Sequence, residues 1–332
     1  MPTQTRQWLF VKRPSGQPTA DSFRLVDAPI APLADGHIRV QLHYLSVDPY
    51  MRGRMDDVRS YAPPQALDEV MQGGGVGEVI ESRNPKFKVG DKVFGGFGWQ
   101  TIADSDGRGL RRVDDSRIPL SAYLGVVGMP GVTAWFGIHR IIEPKAGETV
   151  LVTAASGAVG SVAGQLAQAL GARAVGVAGG PEKCAVVRDA YGFETCLDYR
   201  APDLAEALRA ATPQRIDGVF ENVGGAVLDL TLARMNAFGR IAVCGLIAGY
   251  SGESMPINNF RSILVNRLKI QGFIISEQPS IWAQALGELG DAVASGRLKY
   301  RESVAHGIEA TPEALIGLLH GRNLGKQVVK VI

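Results

Sequence analysis

The chain has 332 residues, a length that at roughly 100 to 200 residues per domain predicts about two domains, each with its own core, and excludes a short regulatory motif. Lys and Arg number 35 against 33 Asp and Glu, a formal net charge of +2 spread along the chain, so nucleic acid is not an expected partner. With 45 % hydrophobic and 20 % charged residues the chain is expected to fold, and its 41 glycines, about 12 % against a usual ~7 %, imply close backbone approaches.

The N-terminus, Met1-Pro2-Thr3-Gln4-Thr5, leads into Arg6, Lys12 and Arg13 without the apolar run of a signal peptide, so a cytoplasmic setting is expected. Up to residue 125, short β-like runs alternate with Gly and Pro: Ile38 to Leu42, Gly77 to Glu81 and Lys92 to Phe94. A compact β domain is expected there. From 126 to 299 the rhythm becomes strand, turn, amphipathic helix, through Val150 to Ala154, Gly160 to Leu170, Ala174 to Ala178, Glu182 to Tyr191, Gly218 to Glu221 and Ile241 to Cys244. This predicts an α/β domain, a doubly wound parallel sheet. Gln327 to Val331 returns to β character, so residues 300–332 are expected to rejoin the first domain.

Thr149 to Ala172 carries no charge and is long enough to span a membrane. Ser156-Gly157-Ala158-Val159-Gly160-Ser161 interrupts it, with Gln165 and Gln168 following at helical spacing, so a buried strand, a glycine turn and a helix are expected, and no membrane span. Such a turn sets backbone N–H groups and the positive end of a helix dipole against a pyrophosphate, and side chains larger than Ala would block the approach. The alternative is a turn that only lets the helix pack closely. An NAD site carries Asp or Glu at the end of the next strand; here Ala178-Gly179-Gly180 carries none before Glu182. Lys183 could meet a 2′-phosphate, which favours NADPH, or it is a solvated residue on a first helical turn.

Cys184, Cys196 and Cys244 are far apart and lack metal-ligand spacing, and no cysteine precedes residue 184 to join His37 or His43. Three reduced thiols and no metal are expected. Ser303, His306 and His320 are scattered and read as structural. Chemistry needing little acid–base help fits this inventory: in conjugate reduction of an enone, hydride goes to the β-carbon, charge collects on the enolate oxygen, and a solvent-derived proton reaches the α-carbon.

Val47-Asp48-Pro49-Tyr50-Met51-Arg52, Gly73-Gly74-Gly75-Val76-Gly77, Gly128-Met129-Pro130-Gly131-Val132-Thr133-Ala134, the glycine turn, Phe220-Glu221-Asn222-Val223-Gly224-Gly225 and Asn323-Leu324-Gly325-Lys326 together resemble the zinc-independent medium-chain dehydrogenase/reductases that include prostaglandin reductases, plant alkenal double-bond reductases and bacterial curcumin reductases. The resemblance runs almost end to end. It implies a GroES-like β-rich domain for substrate (1–125 and 300–332), a Rossmann domain for NADPH (126–299), and a homodimer. Carried over by position, Gly157, Ala158, Val159 and Gly160 would follow the pyrophosphate, and Lys183 with Tyr199 would hold the 2′-phosphate. Asn222 and the run Cys244, Gly245, Leu246, Ile247 to Tyr250 would line the cofactor groove. Phe273, Ile274 and Ile275 would meet the nicotinamide through backbone groups, and Asn323 would bond the cofactor near it. Met129 and Thr133 would face the cofactor, or pack the start of a helix.

Tyr50 is the expected catalytic, substrate-side phenol, against the alternative that it packs the turn after Asp48-Pro49. The family's tyrosine before its Gly-Phe-Ile region is here Val265, so that phenol is absent and Tyr50, Tyr250 or water is left to serve the enolate. Small alkenals, alkenones and phenolic enones are the expected substrates. The rivals are an NADPH quinone oxidoreductase on the same architecture and a non-enzymatic NADPH-binding redox sensor.

Overall fold

The computed structural model describes residues 3–332; Met1 and Pro2, which begin the N-terminal stretch read above, lie outside the described residues. Strands β1 (Gln4–Phe10), β2 (Phe23–Pro29) and β3 (Ile38–Ser46) precede the single turn of α1 (Tyr50–Gly53), and β4 (Glu69–Val70), β5 (Gly75–Ser82), β6 (Lys92–Gly95), β7 (Ile102–Ser105) and β8 (Arg111–Arg112) follow. The rhythm then changes: α2 (Met129–Phe136), β9 (Thr149–Thr153), α3 (Gly160–Ala169), β10 (Arg173–Ala178), α4 (Pro181–Asp189), β11 (Thr195–Asp198), α5 (Leu204–Ala211), β12 (Ile216–Glu221), α6 (Gly225–Leu232), β13 (Met235–Val243), α7 (Arg261–Val265), β14 (Lys269–Gly272) and α8 (Trp282–Ala294). The chain closes with β15 (Glu302–His306), α9 (Thr311–Leu319) and β16 (Lys326–Lys330). It divides into unit 1, the residues up to Gly125 together with Glu302–Ile332, and unit 2, Val126–Arg301.

Unit 1 is β-rich. A seven-stranded sheet runs β15-β16-β3-β5-β6-β8, with β7 also on β3, and a three-stranded sheet runs β2-β1-β4. All pairings are antiparallel except β15 with β16. Strand β3 can serve three partners because its register against β5 shifts between Arg39 and Val40 and again between Leu42 and Tyr44, the local bend that a bulge gives. Inward positions of β3 (Ile38, Val40, Leu42, Leu45) join Phe10, Met51, Met55 and Trp99 in the core. The C-terminal strand β16 pairs with β3 from Val328↔Ser46 to Lys330↔Tyr44, so the β character of the tail is used against the first strands of the chain.

Unit 2 is a six-stranded, all-parallel sheet in the order β11-β10-β9-β12-β13-β14. Counted from β9 as the first, this is 3-2-1-4-5-6, the doubly wound Rossmann order, and it reverses between β9 and β12, the point at whose carboxyl ends such sheets bind ligands. Every residue of β9 is buried, as expected for a strand covered on both faces. Among the described residues no helix is long and apolar enough to cross a membrane; the uncharged stretch from 149 is β9, its turn and α3. Two elements run longer than the sequence suggests: β12 starts at Ile216 and β13 at Met235, with a register shift between Ile216 and Gly218.

Candidate active site

In unit 2 the turn after β9 is set by backbone fit. Ala154 takes a left-handed φ of +48°, the Ala155 amide donates to the Val177 carbonyl (3.0 Å) and the Gly157 amide to the Ala154 carbonyl (2.9 Å). A Cβ on Gly160 would lie 2.4 Å from the Ala154 carbonyl oxygen, whereas one on Gly157 would meet nothing closer than 3.2 Å. Gly160 therefore serves helix–strand packing, and Gly157, Ala158 and Val159, all partly accessible, form the exposed rim. Of the first amides of α3, those of Ser161 (3.1 Å) and Ala163 (2.9 Å) donate to the Gly157 and Val159 carbonyls, and the positive end of the helix dipole lies at this turn. The close-packing reading of this turn fits Gly160, and Gly157 is left as the roomier position.

At the end of β10 the Tyr199 ring lies against Gly179, where a Cβ would meet it at 2.8 Å. The Gly180 amide (2.8 Å) and the Arg200 amide (2.9 Å) both donate to Asp198 Oδ1, which holds that carboxyl below its ordinary value and fixes the loop. Lys183 stands on the first turn of α4; burial lowers its pKa, and the nearby Arg200 lowers it further. Arg200 also stands over the Tyr199 ring, 5.6 Å from its centroid. Two cations and an aromatic ring thus gather where a carboxylate would select NAD. The sequence reading missed Arg200, although it directly follows Tyr199 and an Arg beside an anion-site aromatic is a readable signal.

At the switch point, Thr153, Glu221, Asn222 and Cys244 form one network. Glu221 is fully buried; its Oε1 accepts from Thr153 Oγ1 (2.9 Å) and from the amides of Val223 (2.6 Å) and Gly224 (2.8 Å), while Oε2 has no partner. Burial outweighs these bonds and raises its pKa. Asn222 Nδ2 donates to the Thr153 carbonyl (2.7 Å), and its Oδ1 accepts from the Cys244 thiol (3.0 Å). The Asn222 side chain is therefore already engaged in shaping the turn, with one N–H and one lone pair left over. The run from Cys244 to Tyr250 is partly accessible throughout, and Tyr250 folds back so that a Cβ on Gly245 would lie 3.5 Å from its hydroxyl.

Burial raises the pKa of Cys184, Cys196 and Cys244, and the Cys184 and Cys196 thiols are hydrogen-bonded to each other. Phe273 packs its ring on Phe136 (centroids 5.2 Å) and edge-on to Phe220 (6.5 Å), its amide donates to Val243, and the Ile275 carbonyl accepts from Trp282 Nε1 (3.2 Å). The Thr133 hydroxyl donates to the Met129 carbonyl (2.8 Å). Val265 lies half exposed on α7 between Leu264 and the chain leading to β14.

In unit 1, Tyr50 begins α1 directly after Pro49 and packs against the core. Its hydroxyl has no hydrogen-bond partner among the described residues. Burial first, and then the charge of Asp48, push the phenol well above its ordinary value of 10.0. Asn323 is partly accessible in the turn before β16, and its Nδ2 donates to the Gly325 carbonyl (2.7 Å). Among the described residues no group of three or more His, Cys, Asp or Glu is placed to hold a metal ion.

A family model described as the N-terminal domain of oxidoreductase matches residues 6–113, and one described as zinc-binding dehydrogenase matches residues 158–291. The chain is 42 % identical over 335 residues to an NADPH-dependent curcumin reductase of Escherichia coli (strain K12), covering 99 % of this chain and 97 % of the relative. It is 42 % identical over 304 residues to a 2-alkenal reductase (NADP(+)-dependent) of Nicotiana tabacum, covering 90 % and 89 %. The crystal structure of CurA in complex with NADPH from Vibrio vulnificus superposes with a TM-score of 0.94 at 42 % identity, covering 98 % of this chain and 99 % of that one. The chain belongs to the medium-chain dehydrogenase/reductase family of curcumin and alkenal double-bond reductases that its motifs resemble.

Proposed function

We propose that the protein catalyses the NADPH-dependent reduction of the carbon–carbon double bond of α,β-unsaturated aldehydes and ketones. The observation that carries the reading is the pairing of Lys183 and Arg200 beside Tyr199 at the end of β10, which suits a 2′-phosphate, while the Asp198 carboxylate there is already engaged by the Gly180 and Arg200 amides. The curcumin and the 2-alkenal named for the two relatives share a C=C bond conjugated to a carbonyl, and this supplies the reaction class.

The residues present fit the coenzyme. Gly157 to Gly160 would take the pyrophosphate on the first turn of α3, with the Gly160 backbone drawn in closely enough that only glycine fits. Lys183, Arg200 and Tyr199 would hold the 2′-phosphate. Asn222, the run from Cys244 to Tyr250, backbone groups of Phe273 to Ile275, and Met129 and Thr133 of α2 would flank the nicotinamide end, and Asn323 is proposed as a further coenzyme contact. Unit 2 is thus the coenzyme domain and unit 1 the substrate domain.

When bound, NADPH supplies the hydride that adds to the β-carbon of the enone. Negative charge then collects on the carbonyl oxygen, and the Tyr50 phenol, held protonated by burial and by Asp48, donates a hydrogen bond to it. Val265 offers no donor, so the enolate rests on Tyr50, with Tyr250 and Val265 as further substrate contacts, and water protonates the α-carbon. We propose the cytoplasm as the setting, supported by three buried or half-buried cysteines that are not joined in a disulfide. A homodimer is supported by the edge strand β14 and by the exposed apolar residues Phe238, Phe260, Leu264 and Ile270 around it.

The test is the loss of NADPH absorbance with a medium-chain 2-alkenal, a phenolic enone and a simple quinone, with NADH in parallel and products identified by mass. Saturated carbonyl formed with NADPH supports the reading. Turnover confined to the quinone would move the assignment to a quinone oxidoreductase, an allylic alcohol to carbonyl reduction, and NADPH binding without turnover of any of the three to a redox sensor.

A further inference from the structure

Unit 1 buries an ion pair whose lysine the reaction above does not use. Lys326 is 3 % and Asp48 5 % exposed. Lys326 Nζ donates to Asp48 Oδ1 (2.7 Å) and to the Val47 carbonyl (2.7 Å), and Ser46 Oγ donates to Asp48 Oδ2. The lysine stem passes over Gly125, where a Cβ would sit 3.1 Å from Lys326 Cγ. A third charge stands close: Glu302, the register partner of Lys326 on β15, is bonded to Ser121 and influenced by the ammonium.

Removing two charges from water costs several kcal/mol per ion, and a well-packed apolar pair of the same size would often be as stable or more so. Stability is thus a weak reason for this pair, and its location supplies a better one. Asp48 accepts the Met51 amide through its carbonyl (3.1 Å) and begins the turn that presents Tyr50. Lys326 directly follows Gly325, whose carbonyl takes the Asn323 side chain, and the Leu324 amide between them is held by Ser303 Oγ (2.9 Å). The chain from Asn323 to Lys326 and the chain from Asp48 to Tyr50 are 278 residues apart at the ion pair, and the buried ammonium ties one to the other.

We propose that Lys326, through Asp48, is a positioning residue that fixes the Tyr50 phenol and the Asn323 amide in one geometry. This rests on the roles given above to Tyr50 and Asn323. The ammonium touches neither substrate nor coenzyme; it holds the two turns that do.

The test is a pair of double-mutant cycles, Lys326→Met with Tyr50→Phe and Lys326→Met with Asn323→Ala, read as kcat on an enone, as NADPH Kd by fluorescence and as Tm. Lys326→Met alone is expected to lower kcat about tenfold and raise the NADPH Kd several-fold. In the Tyr50→Phe background it should cost kcat less than about threefold more, and in the Asn323→Ala background it should barely move Kd further, because the lysine acts through those groups. Effects that multiply fully in both backgrounds would overturn the proposal and leave a structural ion pair. Tyr50→Phe and Asn323→Ala each without effect alone would overturn the site reading, and the positioning role with it. Should Lys326→Met fail to fold, Asp48→Asn, which still accepts the lysine's hydrogen bond, takes its place. Its kcat should stay within about threefold of the parent while that of Asp48→Ala falls about tenfold, and equal losses in the two would overturn the proposal.

Discussion

Arg200 stands over the ring of Tyr199, 5.6 Å from its centroid, and from there its charge lowers the pKa of Lys183. Like charges held together are relieved by an anion, which supports the 2′-phosphate site proposed for this pair. Lys183→Ala and Arg200→Ala are each expected to raise the NADPH Kd about tenfold, or ~1.4 kcal/mol, with NADH affinity little changed. The pH dependence has a definite sign. Lys183 loses its proton below the ordinary 10.5, so preference for NADPH should fall as pH rises through that lowered value, and Arg200→Ala should move the fall to higher pH. Coenzyme titrations across the alkaline range check both; equal weakening of NADH and NADPH would remove the phosphate assignment.

The turn after β9 was legible because an apolar strand, closely spaced glycines and an amphipathic helix are local, and each obeys its own periodicity. Arg200 was readable only through its neighbour Tyr199, because an exposed arginine in a loop otherwise looks like any solvated charge until the fold brings it near Lys183. Asp48 and Lys326 were visible as parts of motifs but not as a pair: nothing in a sequence joins positions 278 residues apart. Strand β14, exposed along most of its length, lacks the buried alternation that marks a strand. The Asn222 side chain could be assigned to a groove from its motif, yet only the structure shows it bonded to Thr153 and Cys244.

The two glycines of the turn should separate folding from binding. A Cβ at Gly160 meets backbone at 2.4 Å and again at 2.9 Å, and backbone cannot swing aside as a side chain can. Gly160→Ala is expected to destabilise the protein by ~1–3 kcal/mol, the usual cost of overpacking. At Gly157 the nearest atom is the Ala154 carbonyl oxygen at 3.2 Å, which need give by only a few tenths of an ångström, so Gly157→Ala should lower Tm less than Gly160→Ala and weaken NADPH by crowding the pyrophosphate. Calorimetry beside coenzyme titration distinguishes them, and a Gly157→Ala protein with lower Tm and unaltered Kd would contradict the assignment of that rim.

Tyr50 should act on turnover and leave coenzyme binding alone. Loss of one donor to a developing oxyanion costs up to ~10²–10³ in kcat where the charge is fully localised; an enolate shares its charge with carbon, so about tenfold is expected for Tyr50→Phe, with NADPH Kd unchanged. Burial and Asp48 push the phenol above its ordinary 10.0, so it remains a donor as pH rises through the ordinary tyrosine range. The rate should show no alkaline fall from this group there. An alkaline limb on kcat that disappears in Tyr50→Phe would mean that the phenol ionises within the working range.

Glu221 offers a test that reads the fold through pH. Its carboxyl, buried with Oε2 unpartnered, has a pKa raised above the ordinary 4.5 mainly by burial. The folded protein therefore binds the proton more tightly than the unfolded chain. Its contribution to stability is fully present below the unfolded value and is lost as pH rises from there through the folded value. Glu221→Gln keeps an oxygen acceptor for Thr153, Val223 and Gly224 but cannot ionise. Urea unfolding should find the two proteins nearly equal in acid, with the glutamine variant gaining on the parent as pH rises above 4.5. Glu221→Ala, by contrast, should lose stability at every pH, since the buried Gly224 amide loses its acceptor at ~1–3 kcal/mol and the part-buried Val223 amide loses its own as well. A glutamine variant that is the weaker protein at neutral pH and equal only in acid would mean that the carboxylate is ionised in the fold and that its hydrogen bonds outweigh the burial.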